Sequence, residues 1–542
     1  MQICCIYIRN NIHSSSELAH YDLRYDIMPL GISYISSSLK QAGHTTEMLF
    51  CVPNNCNETI LRFITKKPQV FAVSVISESD FELAQNLFQL LKEHFPDAKI
   101  FVGGSYPTLV PDLVFEDNNI DVLCIGDGEK ASVEYIKQLE LNTFTKTDNL
   151  WIRNNKETIK CDKSVFTENL DDLVYPDRFG WDRWVVYSEQ HKISLERGCK
   201  YQCTYCANHA LSQTSTGHYV RYRDINGIIK EIEDIQQHYN NVKSIYFDAE
   251  NALSDLEYFR KLCEALIKYN DQSVTKLNFS LKLNFTPNLL QDLNIIGLIK
   301  KANINWIHFG LESGSFDIRK NFQRPYYTNE QIIQFCNLMH DYKIKILIHV
   351  MYCFPFETRK TYKETIVCLK QCKADIISLS WLTPIKNTKL YEQLQNIKQK
   401  KVTIIDKYQF LTFRWRVYKT YKLYKQAIFL SIEPLRYFDK IINLYKVVKE
   451  YNHKKNEEYK QKAKIEFDKS NFKKAVKYFN KIDILDNEGW IYGDRAIAQM
   501  KVGNYKSALK DFEKALQFES KEIYKQKKEE CLNKIQKIKK AS

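Results

Sequence analysis

The sequence predicts a multidomain α/β protein followed by an all-α region, and three observations support this. The chain of 542 residues is too long for one hydrophobic core and indicates about three domains. Short apolar runs alternate with helical patterns over the first 400 residues, as in parallel sheets covered by helices. Beyond residue 400 the sequence has no strand pattern. We therefore expect two α/β domains and a helical C-terminal part.

The first domain is predicted over residues 1–145, where five strands alternate with four helices. The strand candidates are Gln2–Ile8, Thr45–Phe50, Val70–Val75, Lys99–Val102 and Asp121–Ile125. The helix candidates are Leu30–Gln41, Asn57–Thr65, Asp80–His94 and Lys130–Glu140. Such sheets bind ligands outside the carboxyl ends of their strands, and two glycine-bearing turns, at 103–105 and 126–129, stand at those ends.

Residues 146–184 are predicted to be a linker, because the segments 149–155 and 169–176 are polar and rich in turn formers. The second domain, 185–400, repeats a strand–helix unit six times. Its strand candidates are Lys192–Leu195, Ser244–Phe247, Leu277–Leu283, Trp306–Gly310, Ile344–Tyr352 and Asp375–Leu382. Its helix candidates include Asn226–His238, Leu256–Lys268, Pro287–Lys301 and Asn329–Tyr342. Six units predict a partial (β/α)6 barrel with its functional residues at the carboxyl ends of the strands.

The third part divides into a basic aromatic helical region, 401–455, and helical repeats, 456–542. The segment Asn471–Lys481 recurs 33 residues later as Asn504–Lys514, close to the tetratricopeptide period. Such repeats form concave surfaces that bind peptides, so a peptide or protein partner is one interpretation. A helical cap without a partner is the other.

Composition and charge limit the classes of partner. The net charge of +14 arises in residues 401–542, which hold 34 Lys and Arg against 18 Asp and Glu. A lysine-rich solvated helix face is the ordinary cause, so no nucleic-acid partner is expected, and membrane-surface contact by the basic aromatic region is an alternative. Fifteen cysteines without an export signal or an apolar span predict reduced thiols in the cytoplasm.

Three cysteines are spaced to hold a metal cluster: Cys199, Cys203 and Cys206. Three thiolates in one loop can bind three irons of a [4Fe–4S] cube and leave the fourth iron without a protein ligand, whereas such clusters normally have four cysteines. An iron left open in this way is available for chemistry. The alternative is a zinc site completed by His209, although zinc sites usually combine paired CxxC units.

The CxxxCxxC spacing, with an aromatic residue before the third cysteine, resembles the radical S-adenosylmethionine (SAM) family. The resemblance implies that an external one-electron reductant feeds the cluster, which cleaves SAM to methionine and a 5′-deoxyadenosyl radical. The runs at 245–250 and 309–315 resemble the SAM-binding segments of the family. The SAM-binding residues so implied are Tyr205, Asp248, Ala249, Glu250, Lys282, Glu312 and Ser313. Helix capping by Asp248 and Glu250, and an outward-facing Lys282, remain alternatives.

The glycine turns of the first domain resemble the cobalamin (B12)-binding domain that precedes many radical SAM domains. The resemblance implies a Rossmann/flavodoxin-like fold and the cobalamin-binding residues Pro29, Gly103, Gly104, Ser105, Tyr106, Thr108, Gly126, Gly128 and Glu129. No DxHxxG motif follows the first strand, so no histidine of that motif is present to ligate cobalt. A domain of this fold that has lost its ligand is the alternative.

Together these resemblances indicate the cobalamin-binding branch of the radical SAM family. The first hypothesis is a cobalamin-dependent methyltransferase that acts at carbon of a peptide or a secondary metabolite. The second is a radical SAM cyclase or oxidoreductase that does not use methylcobalamin. The third is a non-catalytic helical-repeat adaptor.

Overall fold

The structure is a computed structural model that describes residues 1–10, 28–53, 55–154, 157–182, 189–253, 255–352, 354–355, 357–399, 459–480, 489–518 and 521–541. These residues belong to two compact units, one up to residue 399 and the other from residue 459. The described helices include none that is both long and apolar enough to cross a membrane. The basic aromatic region predicted at 401–455 lies outside the described residues.

A seven-stranded sheet forms the centre of the first domain. Its strands are β1 Gln2–Ile8, β2 Thr45–Cys51, β3 Val70–Ser74, β4 Lys99–Gly103, β5 Val122–Cys124, β6 Leu150–Asn154 and β7 Glu157–Lys160. They lie in the order β2-β1-β3-β4-β5-β6-β7. The first five are parallel, and their order is that of a flavodoxin-like sheet. The predicted Rossmann/flavodoxin-like fold is therefore confirmed.

Helices cover both faces of this sheet. They are α1 Leu30–Gln41, α2 Glu58–Leu61, α3 Glu78–His94, α4 Ser105–Leu109, α5 Pro111–Phe115 and α6 Glu129–Leu141. Strand β1 shows why both faces are apolar, since Cys4 and Ile6 enter one core and Ile3 and Cys5 the other. Strands buried on both sides need this continuous apolar sequence.

The second domain contains a six-stranded parallel sheet. Its strands are β8 Gln190–Ser194, β11 Ser244–Asp248, β12 Asn278–Leu283, β13 Ile304–Glu312, β14 Lys345–Tyr352 and β15 Ile376–Trp381. They follow one another across the sheet in chain order, as a partial barrel requires. A short antiparallel pair, β9 Glu196–Arg197 with β10 Arg221–Tyr222, brackets the cysteine loop.

Most helices of the second domain pack on the outer face of its sheet, whereas the short helix Ala207–Leu211 packs its apolar side chains against the core of the first domain. The helices are α7 Ala207–Leu211, α8 Ile225–His238, α9 Leu256–Gln272, α10 Leu293–Lys301, α11 Phe316–Asn321, α12 Asn329–Asp341, α13 Arg359–Cys372 and α14 Lys389–Gln399. The helix predicted at Pro287–Lys301 is interrupted: a 3-10 turn, Pro287–Leu290, precedes α10. Asp292 causes the break, because its carboxylate caps α10 by accepting a hydrogen bond from the N–H of Ile295.

Residues 146–184, predicted to be a linker, contain regular structure. Strands β6 and β7 form a hairpin that extends the first sheet antiparallel to β5. Polar residues suggested a loop, but Leu150 and Ile152 are buried, which is the alternation of a strand with one covered face. The sheet therefore continues past residue 145, and the boundaries of the domains remain a prediction.

Two buried residues after the hairpin, Arg178 and Trp181, contact the two domains. Trp181 is fully buried, and its Nε1 donates a hydrogen bond to Oγ of Ser33 at 2.8 Å. Arg178 forms an ion pair with Glu231 of α8, and Glu231 also pairs with Arg223. These three charged side chains are each at most 4% exposed. Trp181 thus contacts the first domain and Arg178 the second.

The described part of the second unit is helical. Residues 459–468 are helical, and the helices α15 Phe472–Phe479, α16 Gly489–Lys501, α17 Tyr505–Phe518 and α18 Glu522–Ala541 follow. Neighbouring helices in this series pack together. Small or aromatic residues at the 33-residue spacing are fully buried in both repeats, namely Ala463, Ala475 and Phe479 and their counterparts Ala496, Ala508 and Phe512. The helical region is confirmed, and its tetratricopeptide character remains a prediction.

The cysteines differ from expectation at one place. Twelve of the described cysteines are free thiols, but Cys51 and Cys56 form a disulfide. The turn after β2 brings their Cα atoms to 5.3 Å, which is within the range for a disulfide. The prediction of reduced thiols is wrong for this pair.

Candidate active site

The cysteine loop begins directly after β9 and ends at α7. Gly198 has a φ of +91°, and a Cβ at this position would clash with the carbonyl oxygen of Tyr219. Only glycine tolerates both conditions, so the loop can turn sharply between the two short strands. Cys203 is buried, and Cys199 and Cys206 are half-buried.

Two polar side chains donate hydrogen bonds to these sulfurs. Nη1 of Arg324 lies 3.7 Å from Sγ of Cys203, and Nδ2 of Asn208 lies 3.8 Å from Sγ of Cys206. Such donors favour the thiolate, which is the form that binds iron. Burial works in the opposite direction and raises the pKa of Cys199 to about 11. Binding a cluster would therefore release protons from these thiols.

The donor set of the loop fits an iron–sulfur cluster by its chemistry. It offers three thiols within eight residues and two hydrogen-bond donors aimed at sulfur. Among the described residues, no three His, Cys, Asp or Glu side chains are already gathered at metal-binding distance. His209, the fourth ligand of the zinc alternative, is half-buried on α7. The fit therefore rests on the three thiols of the loop.

The end of β11 brings two acids toward the loop. Oε2 of Glu250 accepts a hydrogen bond from Nδ2 of Asn208 at 3.0 Å and lies 3.7 Å from Nζ of Lys282. Asp248 pairs with Lys192 at 2.8 Å. Burial acts to raise the pKa of Asp248, but the two lysines outweigh it, so its pKa is lowered and it stays charged. The predicted residues Asp248, Glu250 and Lys282 thus form one charged cluster.

Ala249 lies between these acids but faces away from them. Its side chain is part of the core between the sheet and the outer helices. A ligand could therefore contact only its backbone.

Strand β13 ends in a turn that brings a third acid to the loop. Glu312 has a φ of +61° after a bulge at Gly310, and its Oε1 lies 4.0 Å from Nη2 of Arg324. Burial raises the pKa of Glu312, and Arg324 opposes this. Ser313, also predicted to bind SAM, is fully buried with its hydroxyl 3.2 Å from that of Thr365. The structure therefore places Ser313 in the packing of the turn.

Tyr205 forms an aromatic wall beside the third cysteine. Its ring centroid lies 6.3 Å from that of Phe322 and 6.2 Å from that of Phe354. Burial raises the pKa of Tyr205 well above its usual value, so its hydroxyl stays protonated. This wall excludes water from one side of the loop.

The glycine turns of the first domain are joined to each other. Gly104 has a φ of +112°, and a Cβ there would clash with the carbonyl oxygen of Val75. Oγ1 of Thr108 donates to the carbonyl of Gly104 at 2.8 Å and accepts from the N–H of Gly126 at 3.0 Å. Thr108 therefore fixes the spacing of the turns that follow β4 and β5.

A cavity of about 440 Å³ lies between the two domains of the first unit. The first domain lines it with Gly31, Gly103, Gly104, Ser105, Gly126, Asp127, Gly128 and Glu129, among others. The second domain lines it with Ser194, Glu196, Arg197, Gly198, Asn208, Asp248 and Glu250. A Cβ on Gly31 would meet nothing within 4 Å, so the backbone is open at this position. Glycine at these positions lets the backbone approach a bulky flat ligand such as cobalamin closely.

Three predicted cobalamin residues lie away from this cavity. Pro29 and Thr108 are not part of its lining, although Thr108 fixes the glycine turns. Tyr106 is buried against Phe81 at a centroid distance of 5.8 Å, and its hydroxyl bonds to Lys386. Tyr106 points into the helix-covered core because it belongs to α4, which packs on the sheet.

Sequence reasoning missed the charged residues that connect the motifs. Asp127, Arg197 and Arg221 form ion pairs between the two domains, and Asn208 and Arg324 bond the cysteine sulfurs. In the sequence, the only sign of a role for Asp127 and Arg197 was that each is a charged residue within or next to a motif. Arg324 gave none, since it is more than a hundred residues from the cysteine it contacts.

Comparison with protein families supports both α/β domains. A B12 binding domain model matches residues 21–136, and a Radical SAM superfamily model matches residues 193–369. The anaerobic magnesium-protoporphyrin IX monomethyl ester cyclase of Cereibacter sphaeroides is 22% identical over 75% of this chain and 66% of its own length. The cytidylyl-2-hydroxyethylphosphonate methyltransferase of Streptomyces wedmorensis is 20% identical over 56% of this chain and 64% of its own length. The chain thus spans about two thirds of the length of these relatives.

Solved structures share the fold. The radical SAM methyltransferase TsrM from Kitasatospora setae, with cobalamin and a [4Fe–4S] cluster bound, has a TM-score of 0.58 at 14% identity and covers 73% of this chain and 78% of its own. The cobalamin-dependent radical SAM enzyme OxsB, with aqua-cobalamin and SAM bound, has a TM-score of 0.59 at 15% identity and covers 95% and 80%. At sequence identities this low, the similarity shows a shared fold and nothing more. The chain therefore combines a B12 binding domain with a Radical SAM superfamily domain that follows it.

Proposed function

We propose that the chain is a cobalamin-dependent radical SAM methyltransferase that acts at a carbon atom of a small molecule or a peptide. The observation that carries this proposal is the cavity lined by both the glycine turns and the end of β11 beside the cysteine loop. A methyl donor and a radical source must reach the same substrate atom, and reactions between bound groups depend on such proximity. A cavity shared by both domains meets this requirement.

The residues that would hold the cofactors are those already described. Cys199, Cys203 and Cys206 would hold the [4Fe–4S] cluster, and the carboxylates of Asp248 and Glu250 would meet the ammonium group of SAM. The backbone of the glycine turns would hold cobalamin. When bound, these groups supply a carbon radical that removes hydrogen from an unactivated C–H bond, and a methyl group to replace it.

The side chains around the loop prepare it for that chemistry. Arg324 donates hydrogen bonds to Sγ of Cys203 and to the carbonyl of Gly310, and it lies beside Glu312. One buried guanidinium therefore fixes the position of the cysteine loop against the end of β13. Tyr205 closes the adjacent side with an aromatic ring, which keeps water from the site.

A radical SAM cyclase or oxidoreductase that does not use methylcobalamin is the second candidate. The relative named as a cyclase favours it, because that relative aligns with 75% of this chain. The third hypothesis, a non-catalytic adaptor, predicts a protein that holds no cluster and cleaves no SAM.

The remaining parts of the proposal concern organisation and partners. We propose the domain division 1–145, 146–184, 185–400, 401–455 and 456–542, with the hairpin β6–β7 completing the first sheet. The helical repeats would bind a peptide or protein partner, and an external one-electron reductant would serve the cluster. The enzyme would act in the cytoplasm without nucleic acid, and the basic aromatic region would be its point of any membrane-surface contact.

Anaerobic reconstitution tests the radical part. We expect about four irons per chain, as one cubane cluster requires, and 5′-deoxyadenosine on incubation with SAM and a reductant. Cys203→Ala should lose both, while Cys161→Ala, which changes a free cysteine outside the loop, should keep both. A protein that holds only zinc, or that leaves SAM intact under conditions that work for a control radical SAM enzyme, would refute the proposal.

Cobalamin and methyl transfer are tested separately. We expect the protein to bind aquacobalamin, and with substrate to convert SAM into S-adenosylhomocysteine as well as 5′-deoxyadenosine. If 5′-deoxyadenosine forms with substrate while S-adenosylhomocysteine does not, the cyclase or oxidoreductase candidate replaces the methyltransferase.

A further inference from the structure

Four charged side chains join the first domain to the start of the cysteine loop. Nη1 and Nη2 of Arg197 lie 3.2 Å from Oδ1 of Asp127 and 2.5 Å from Oε1 of Glu129. Nη1 of Arg221 lies 2.6 Å from Oδ2 of Asp127 and also donates to the carbonyl of Thr167 at 2.7 Å. We call Asp127, Glu129, Arg197 and Arg221 the latch.

The latch is sheltered from water and balanced in charge. Its side chains are 15%, 4%, 22% and 5% exposed in chain order, and two positive charges face two negative ones. Burial acts to raise the pKa of Asp127, but the two arginines outweigh it, so its pKa is lowered and Asp127 stays ionised. Removing one member of a buried ion pair is costly, because it leaves its partner charged and uncompensated.

The backbone makes the latch rigid on both sides. Arg197 and Arg221 are directly paired residues of the β9–β10 ladder, and Asp127 also accepts a hydrogen bond from the N–H of Thr167 at 2.8 Å. The guanidinium of Arg197 further lies 5.2 Å above the ring of Tyr34 on α1. The turn of the first domain therefore cannot shift without moving β9.

The latch also borders the cavity. Asp127, Glu129 and Arg197 all line it, and Arg197 stands two residues before Cys199. Oε1 of Glu129 is engaged by Arg197, whereas Oε2 is buried without a hydrogen-bond partner in the described structure. Glu129 could thus affect a ligand in two ways, through Arg197 or by direct contact through Oε2.

We propose that Arg197 is a positioning residue that shapes the cobalamin end of the cavity by holding the start of the cysteine loop against Asp127 and Glu129. Glu129 then acts on the ligand through Arg197. The inference rests on the proposed function only in taking cobalamin as the ligand.

A double-mutant cycle on aquacobalamin affinity tests this, because it separates the two ways in which Glu129 could act. The variants are Glu129→Gln, Arg197→Gln and the double substitution, all in the full chain and followed by the absorbance of aquacobalamin. We expect each single substitution to weaken binding about tenfold and the double one to weaken it no further than the worse single. Arg197→Lys keeps a charge but loses the fork, so it should recover part of the affinity.

Two results would overturn the inference. One is wild-type affinity in Arg197→Gln, and the other is losses that multiply in the double variant, which would mean that Glu129 and Arg197 act independently. Arg153→Gln is the matched control, since Arg153 bonds carbonyls within the first domain and should leave affinity unchanged. If the wild-type protein itself binds no aquacobalamin, the proposed function fails; if it binds and the cycle is additive, only the latch fails.

Discussion

Glu231 provides the sharpest test of how the two α/β domains are connected. Its carboxylate is fully buried between the guanidinium groups of Arg178, from the segment after β7, and Arg223, from the loop before α8. Glu231→Gln keeps the volume of the side chain but removes the carboxylate that pairs with both arginines, each of which is 4% exposed. Asp171, 3.7 Å from Nε of Arg223, remains beside one of them. Breaking a buried pair in this way costs about 3–5 kcal/mol of unfolding free energy.

The expected loss of unfolding free energy can be measured as a decrease in melting temperature. For a domain of this size each kcal/mol corresponds to about 2–4 °C, so Glu231→Gln should lower the melting temperature by roughly 6–20 °C. Differential scanning calorimetry would measure it, with Glu233→Gln as control, because Glu233 is an exposed acid on the same helix. Buried pairs are screened weakly, so the loss should persist at high salt. A shift no larger than that of the control, or one that disappears in salt, would contradict the reasoning.

Three further predictions concern pH and glycine positions. Burial raises the pKa of Glu196 from 4.5 to about 7, so the folded protein keeps this proton at pH values where the unfolded chain has lost it. The folded state therefore loses up to about 3 kcal/mol of stability as the pH rises from 4.5 to about 7. Glu196→Gln should remove this difference in unfolding free energy between pH 5 and pH 8, measured by urea unfolding. A difference as large as that of the wild type would contradict the prediction. Gly104→Ala should lower the unfolding free energy by roughly 1–3 kcal/mol and weaken aquacobalamin binding. Gly31→Ala, with open space around the added Cβ, should keep the fold. Equal melting temperatures for the two variants would refute the argument from backbone strain. Gly493→Ala should destabilise the helical unit by about 1–3 kcal/mol, because a Cβ would clash with a tyrosine ring of α18. The effect should be seen as faster proteolysis of this unit, and unchanged proteolysis would show that the ring moves aside.

Hydrophobic periodicity was sufficient to predict the elements that have the clearest apolar pattern. Strand β1 and helix α1 have the predicted bounds, because continuous apolar runs and a 3.6-residue pattern leave few alternatives. Strand β6 was missed, since only Leu150 and Ile152 of its five residues are apolar and buried. The break before α10 could have been predicted from Asp292, a residue type that caps helices.

The candidate site divides in the same way. The cysteine loop, Glu250 and the glycine turns lie in local motifs, so their neighbourhood follows from the sequence. Arg324 could not be found, because its contact with Cys203 joins segments 121 residues apart. A sequence pattern does not fix the direction of a side chain. The resemblance implied that Tyr106 binds cobalamin; its ring lies in the core on which α4 packs, and its role at the ligand stays a prediction.

The hairpin of β6 and β7 decides where this protein could be divided for experiments. Strand β5 has only three residues, and one of its two edges is covered by β6. A fragment that ended at residue 145 would expose that edge, and an uncovered apolar edge strand is a template for pairing with other chains. Such a fragment would be prone to aggregate whether or not its glycine turns could bind a ligand. A B12-binding fragment should therefore extend at least to Lys160.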